Sequence, residues 1–170
     1  MIAAASVLKR FARDRNGLAA IELAIIAPVL LLCVLCVTDL GRFAFDKTWV
    51  AYAASAGTAY AAAHADDHQY APPYPMASAF SAAVSTAASS ATPAANISIS
   101  PTPSSYYGCA TATGVTASTQ GATCPSGTST GATAGTYVSV TATMPFTALF
   151  SAAGISYPST ITSTAVVRIE

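Results

Sequence analysis

The sequence predicts an α+β protein: a long N-terminal transmembrane helix that continues outside the membrane and packs on a small antiparallel sheet. Three observations predict it. Leu18 to Val37 reads LAAIELAIIAPVLLLCVLCV, an apolar run with one charge and one proline. An alanine-rich stretch follows as far as Ala65. From Thr92 the chain turns to Ser, Thr, Gly and Val, with three segments that alternate apolar and polar residues. The length of 170 residues suits one domain beside that helix.

The apolar run comes first. At 1.5 Å per residue it makes about 30 Å of helix, the thickness of the bilayer hydrocarbon. The charges around it are unevenly placed, although the chain is formally neutral and only 8% charged. Residues 1–17 carry Lys9, Arg10, Arg13 and Arg15 against Asp14, a net of +3. Residues 38–170 carry Asp39, Asp46, Asp66, Asp67 and Glu170 against Arg42, Lys47 and Arg168, a net of −2. The positive-inside bias puts the basic leader in the cytoplasm and everything after Thr38 outside. A cleaved secretory signal has a shorter apolar core and a small-residue cleavage site. Here the run is followed by Thr-Asp-Leu-Gly-Arg, so a retained single span is expected. The expected organisation is a leader at 1–17, a helix at 18–65 and an extracytoplasmic domain at 66–170.

Two residues inside the span need reasons. Pro28 removes one backbone hydrogen bond, which membrane helices tolerate. Glu22 is costly, on the order of 1–3 kcal/mol and less near the interface than at the bilayer centre, so a partner for it should be sought. Its position four residues into the span also allows it to snorkel to the headgroups.

Past the span the helix is expected to continue. Asp39 and Arg42 lie three apart and can pair as a surface ion pair. Phe43, Phe45, Trp49 and Tyr52 fit an interfacial aromatic belt. The small residues of 51–65 suit close helix packing, or simply reflect the helix propensity of alanine. An unbroken helix from Leu18 to Ala65 would be about 72 Å long. His64-Ala-Asp-Asp-His68 has a ligand-like spacing but runs towards Pro72 and Pro73, and it reads as a solvated helix end rather than a metal site.

A second, short helix is expected at 76–91, with Met76, Phe80, Ala83, Val84 and Ala87 on one stripe. Residues 96–100, 136–143 and 161–169 alternate and read as strands of a three- or four-stranded sheet. Their wet face is Ser and Thr rather than Lys and Glu. Cys33 and Cys36 lie in the span and read as small apolar residues. Cys109 and Cys124 lie outside, where an oxidising compartment pairs them in a disulfide across a loop of about 15 residues.

The segment Gly17-Leu-Ala-Ala-Ile-Glu22 has the form G-x-x-x-x-E, after a basic leader and before an apolar helix. It resembles the processing site of type IV pilin-like proteins. Ala20-Ile-Glu-Leu-Ala-Ile-Ile-Ala-Pro-Val-Leu30, then Asp39-Leu-Gly-Arg-Phe43 and the alanine-rich helix, is similar to the TadE-like (TadE/TadG) group of the tight-adherence, or Flp, pilus machinery. Leu23 departs from the aromatic residue common at such sites. The resemblance implies a pseudopilin with a pilin-like fold, cut after Gly17 by a prepilin peptidase so that Leu18 becomes the first residue. The new amine and Glu22 would then pair between neighbouring subunits and fix helix register, with Asp39 and Arg42 taking part in assembly. It further implies a bacterial inner-membrane protein with a periplasmic C-terminal domain. Its partners would be other pilins or pilus assembly proteins, in homo- or hetero-oligomers, with incorporation into an extracellular pilus open. The rival expectation is a permanently anchored envelope protein whose Ser/Thr-rich domain binds a partner or surface.

No catalytic arrangement emerges from the residues. A nucleophile beside a base and an orienting group is missing, as are a phosphate-binding loop and a zinc spacing. No cofactor is expected. The folded part also lacks the basic face that nucleic-acid binding needs.

Overall fold

A computed structural model describes residues 15–65, 78–92, 96–125, 127, 130–149 and 156–169. The chain divides into two compact units: Met1–Arg42 with Ala148–Ser156, and Phe43–Thr147 with Tyr157–Glu170. The first helix, α1 (Arg15–Ala63), enters both. Most of the leader, the Pro-rich connector at 71–75 and His68 lie outside the described residues.

In the first unit α1 is apolar all round and passes through Pro28 without ending. Ile21, Leu23, Ile25, Val29, Leu31 and Val37 are all exposed, so no core explains their apolarity. Polar side chains along α1 turn back on its own backbone. Thr38 Oγ1 donates to the Val34 carbonyl at 2.8 Å, and Thr48 Oγ1 to the Ala44 carbonyl at 2.9 Å. That satisfies hydroxyls without water.

In the second unit the pattern on α1 changes. Val50, Ala53, Ala54, Gly57, Thr58 and Ala61 are buried, recurring every three or four residues as one face of a helix should. This face packs on a second helix, α2 (Ser78–Ser90), and on the sheet. Ala61, Val84 and Ala88 of the helices cluster with Val138 and Val140 of the sheet. Ala and Gly on the helices permit the close approach. A Cβ at Gly57 would meet Val140 Cγ1 at 2.9 Å and Ala88 Cβ at 3.1 Å.

Five antiparallel strands form one sheet: β1 (Ser98–Ile99), β2 (Ser104–Thr111), β3 (Gly114–Ala117), β4 (Gly135–Pro145) and β5 (Thr160–Arg168). Strand β4 is central. β5 pairs along it from Tyr137↔Arg168 to Pro145↔Thr160, while β1 and β2 pair with it at Ser98↔Thr143 and Gly108↔Gly135. Hairpin β2–β3 closes between Thr111 and Gly114. From Val138 onward β4 alternates: Val138, Val140, Ala142 and Met144 are buried and Ser139, Thr141 and Thr143 half-buried, whereas Gly135, Thr136 and Tyr137 before them are all buried. The hydroxyl face is bonded to itself, Thr141 to Thr164 and Ser98 to Thr143, each at 2.9 Å between oxygens.

The expected α+β architecture is the one observed, with differences in detail. The predicted 76–91 helix is Ser78–Ser90, and Met76 and the Phe80 side chain lie outside the described residues. Strands expected at 96–100, 136–143 and 161–169 become β1, β4 and β5, but β2 and β3 are additional. Five strands replace the three or four expected. Tyr106, Tyr107, Gly108 and Cys109 are all half-buried or buried, so both faces of β2 are in contact and no alternation marks it. β3 is too short to carry a period. Within the expected aromatic belt both Phe43 and Trp49 are half-buried. The Phe43 ring lies 5.4 Å from Phe146 and 5.6 Å from Tyr157, whereas Phe45 and Tyr52 stay exposed.

Candidate functional site: the N-terminal half of the long helix

Gly17, Leu18 and Glu22 all lie on α1, within its first turns as described. Glycine inside a helix costs up to about 1 kcal/mol relative to alanine, so it normally has a steric or conformational reason. Gly17 has neither. A Cβ there would meet nothing within 4 Å, and its φ is not in the left-handed region. Glu22 is exposed on the apolar part of the helix, and among the described residues it makes no ion pair. Leu18 is helical.

Asp39 and Arg42 come together, but not as a surface pair. Arg42 Nη1 stands 3.7 Å from Asp39 Oδ1, yet the Asp39 residue is only 2% exposed. Its Oδ1 also accepts a hydrogen bond from the backbone N–H of Leu149 at 3.1 Å. A buried carboxylate needs such donors, since losing water without them costs several kcal/mol. The segment that carries Leu149 lies 110 residues further along the chain. Nothing in the local spacing of Asp39 could have revealed that contact.

The remaining sequence features fall into plainer roles. His64 is half-buried, its ring stacked on Tyr60 at 4.1 Å, with Nδ1 2.9 Å from the Tyr60 carbonyl. Since a carbonyl can only accept, Nδ1 is the donor. The expected solvated helix end is therefore, at His64, a stacked side chain. Among the described residues no group of three or more His, Cys, Asp or Glu is placed to hold a metal ion. Cys33 and Cys36 are free thiols. Cys109 and Cys124 form a disulfide, and both are buried beside Ala134 with Tyr107 packed against them. Burial and the charge of Tyr137 raise the Tyr106 phenol above its ordinary value, burial being the larger cause.

Among the described residues one helix, Ala19–Ala63, is long and apolar enough to cross a membrane, which suggests a single-pass membrane protein. Residues 17–59, all on α1, match the family model for TadE-like protein, which is consistent with a TadE-like pilus assembly protein. The match takes in Gly17, Leu18, Glu22, Asp39 and Arg42 and spans about a quarter of the chain. No curated protein and no solved structure matches the chain.

Proposed function

We propose that this protein is a pseudopilin that takes part in assembling a bacterial tight-adherence pilus through helix packing in the inner membrane. The observation that carries this reading is that the TadE-like match, residues 17–59, takes in the apolar run of α1, whose large side chains are exposed among the described residues. A helix stretch that is apolar all round and exposed among the described residues is suited to lipid and to other helices. The basic leader faces the cytoplasm and the sheet-bearing unit the periplasm. The protein performs no catalysis in this role.

Processing belongs to the same reading. A prepilin peptidase cuts after Gly17, which accounts for a glycine that packing and backbone conformation leave unexplained. The freed amine of Leu18 is then positive at the head of an apolar helix, and Glu22 supplies a negative partner on a neighbouring subunit. In lipid such a pair is worth more than on a wet surface, and it sets the stagger between helices. Gly41, which also has nothing within 4 Å of a Cβ, leaves room for a neighbour further along.

Intact mass and N-terminal sequencing of the membrane-extracted protein test the reading. A chain beginning at Leu18 when the peptidase is co-expressed is expected. A chain still beginning at Met1 would favour the second reading, a permanently anchored envelope protein. That alternative rests on the self-bonded Ser/Thr face of β4 and β5, which carries few charges and suits contact with a partner or surface.

A further inference from the structure

The bond between Asp39 and Leu149 has a geometric consequence for the membrane. Asp39 lies two residues beyond Val37, about 3 Å along the helix axis from the end of the apolar run. The Leu149 amide is fixed to that carboxylate at 3.1 Å. The headgroup layer on each side of a bilayer is about 5–7 Å deep, so a membrane filled by Leu18–Val37 surrounds Leu149 with headgroups. Leu149 is 60% exposed, a large apolar residue with most of its surface open. Between Asp67 and Arg168 the chain has no Asp, Glu, Lys or Arg, so no nearby charge in sequence opposes immersion. The one acid at this depth, Asp39, is 2% exposed, accepts from the Leu149 amide and is ion-paired with Arg42.

We propose that Leu149 is a second membrane contact, an apolar side chain seated in the lipid headgroup layer and held at that depth by the Asp39 carboxylate. The partner is the bilayer surface itself, and the contact fixes the rotation of α1 about its own axis as well as its depth. A single apolar helix can turn freely in lipid; one with an off-axis apolar anchor cannot. This inference rests on the reading of α1 as a membrane span.

Tryptophan fluorescence in liposomes tests both separately. Trp49 is the only tryptophan, so Trp49→Phe gives a silent background for the full chain. In it, Leu149→Trp is expected to emit at shorter wavelength than in water and to lose about half its intensity to lipids brominated near the headgroup, with less loss to lipids brominated at mid-chain. Leu31→Trp in the same background is the control for the span and should be quenched best by mid-chain bromine. Adding Asp39→Ala to the Leu149→Trp protein should shift its emission towards that of water and reduce quenching. A quenched indole at position 31 beside an unquenched, water-like one at position 149 overturns the second contact and leaves the span intact. Quenching at position 149 that survives Asp39→Ala overturns the role of the carboxylate. An unquenched indole at position 31 overturns the span, and the inference with it.

Discussion

Gly57 lies so close to Val140 that a Cβ on the glycine would sit 2.9 Å from Cγ1 of the valine. Ala88 stands at 3.1 Å on the other side, so two neighbours from different elements bound this one position. We expect Gly57→Val to destabilise the second unit by about 2 kcal/mol, in the range of overpacked cores, despite valine's better helix propensity. Thermal unfolding followed by circular dichroism measures it. An unchanged melting temperature would mean that α1 can move away from the sheet at little cost.

Val140 offers the converse change. It is fully buried at the centre of the helix–sheet cluster. Val140→Ala should cost about 2 kcal/mol through lost burial and the cavity left behind. Combined with Gly57→Ala, part of that loss should return, because the new methyl group occupies the space the valine gave up. A double-mutant cycle by chemical denaturation reads this coupling. Strict additivity would contradict the close contact.

Reduction of the Cys109–Cys124 disulfide removes a link across 15 residues. On chain-entropy grounds this lowers stability by about 3 kcal/mol. The paired variant Cys109→Ala with Cys124→Ala should unfold at lower denaturant, while Cys33→Ser with Cys36→Ser should not move the second unit. Parallel denaturation of these two variants and the parent chain, oxidised and reduced, separates the effects.

Tyr106 gives a pH dependence at the alkaline end. Its phenol is raised above the ordinary 10.0 in the folded chain, by burial first and by Tyr137 second. The folded state therefore holds this proton more tightly than the unfolded one. Its contribution is fully present below pH 10 and is lost as pH rises from there through the folded value. Tyr106→Phe should flatten the fall in stability above about pH 10 and leave neutral stability nearly alone. Denaturant midpoints measured from about pH 8 upward check this.

Gly17→Val and Glu22→Gln separate processing from register. Because nothing packs on Gly17, Gly17→Val should leave the unfolding of the second unit unchanged while blocking cleavage, read as a retained leader by mass spectrometry. Glu22→Gln should be cleaved yet fail to support piliation, scored by electron microscopy of cells. Normal pili from Glu22→Gln would remove the proposed ion pair from the assembly step.

How much of this is legible in the sequence depends on whether a residue's environment is set by its near neighbours. The apolar run, the alanine-rich extension, β4 and β5 all carry a pattern of composition or period, and each is readable from it. The Cys109–Cys124 pair is readable because compartment and loop length constrain it. β2 is hidden because contacts on both faces erase its alternation, and the burial of Asp39 is hidden because its surroundings include Leu149. The ring contacts of Phe43 with Phe146 and Tyr157 are hidden for the same reason. In each case the deciding contact comes from a distant part of the chain, or from both faces at once, which local spacing does not encode.

The central place of β4 has a bearing on the order in which the molecule can be built. β1, β2 and β5 all bond to it, and the helical face around Gly57 rests on Val140. A ribosome must therefore deliver residues 135–145 before the α1–α2 face, β1 and the β2–β3 hairpin have the strand they share. Until then the nascent chain carries a helix face and a β2–β3 hairpin without their common support. Contacts of such long reach close slowly, because the entropy of the intervening chain is lost before they form. The sheet and the helical face around Gly57 are therefore completed only once β4 has been made.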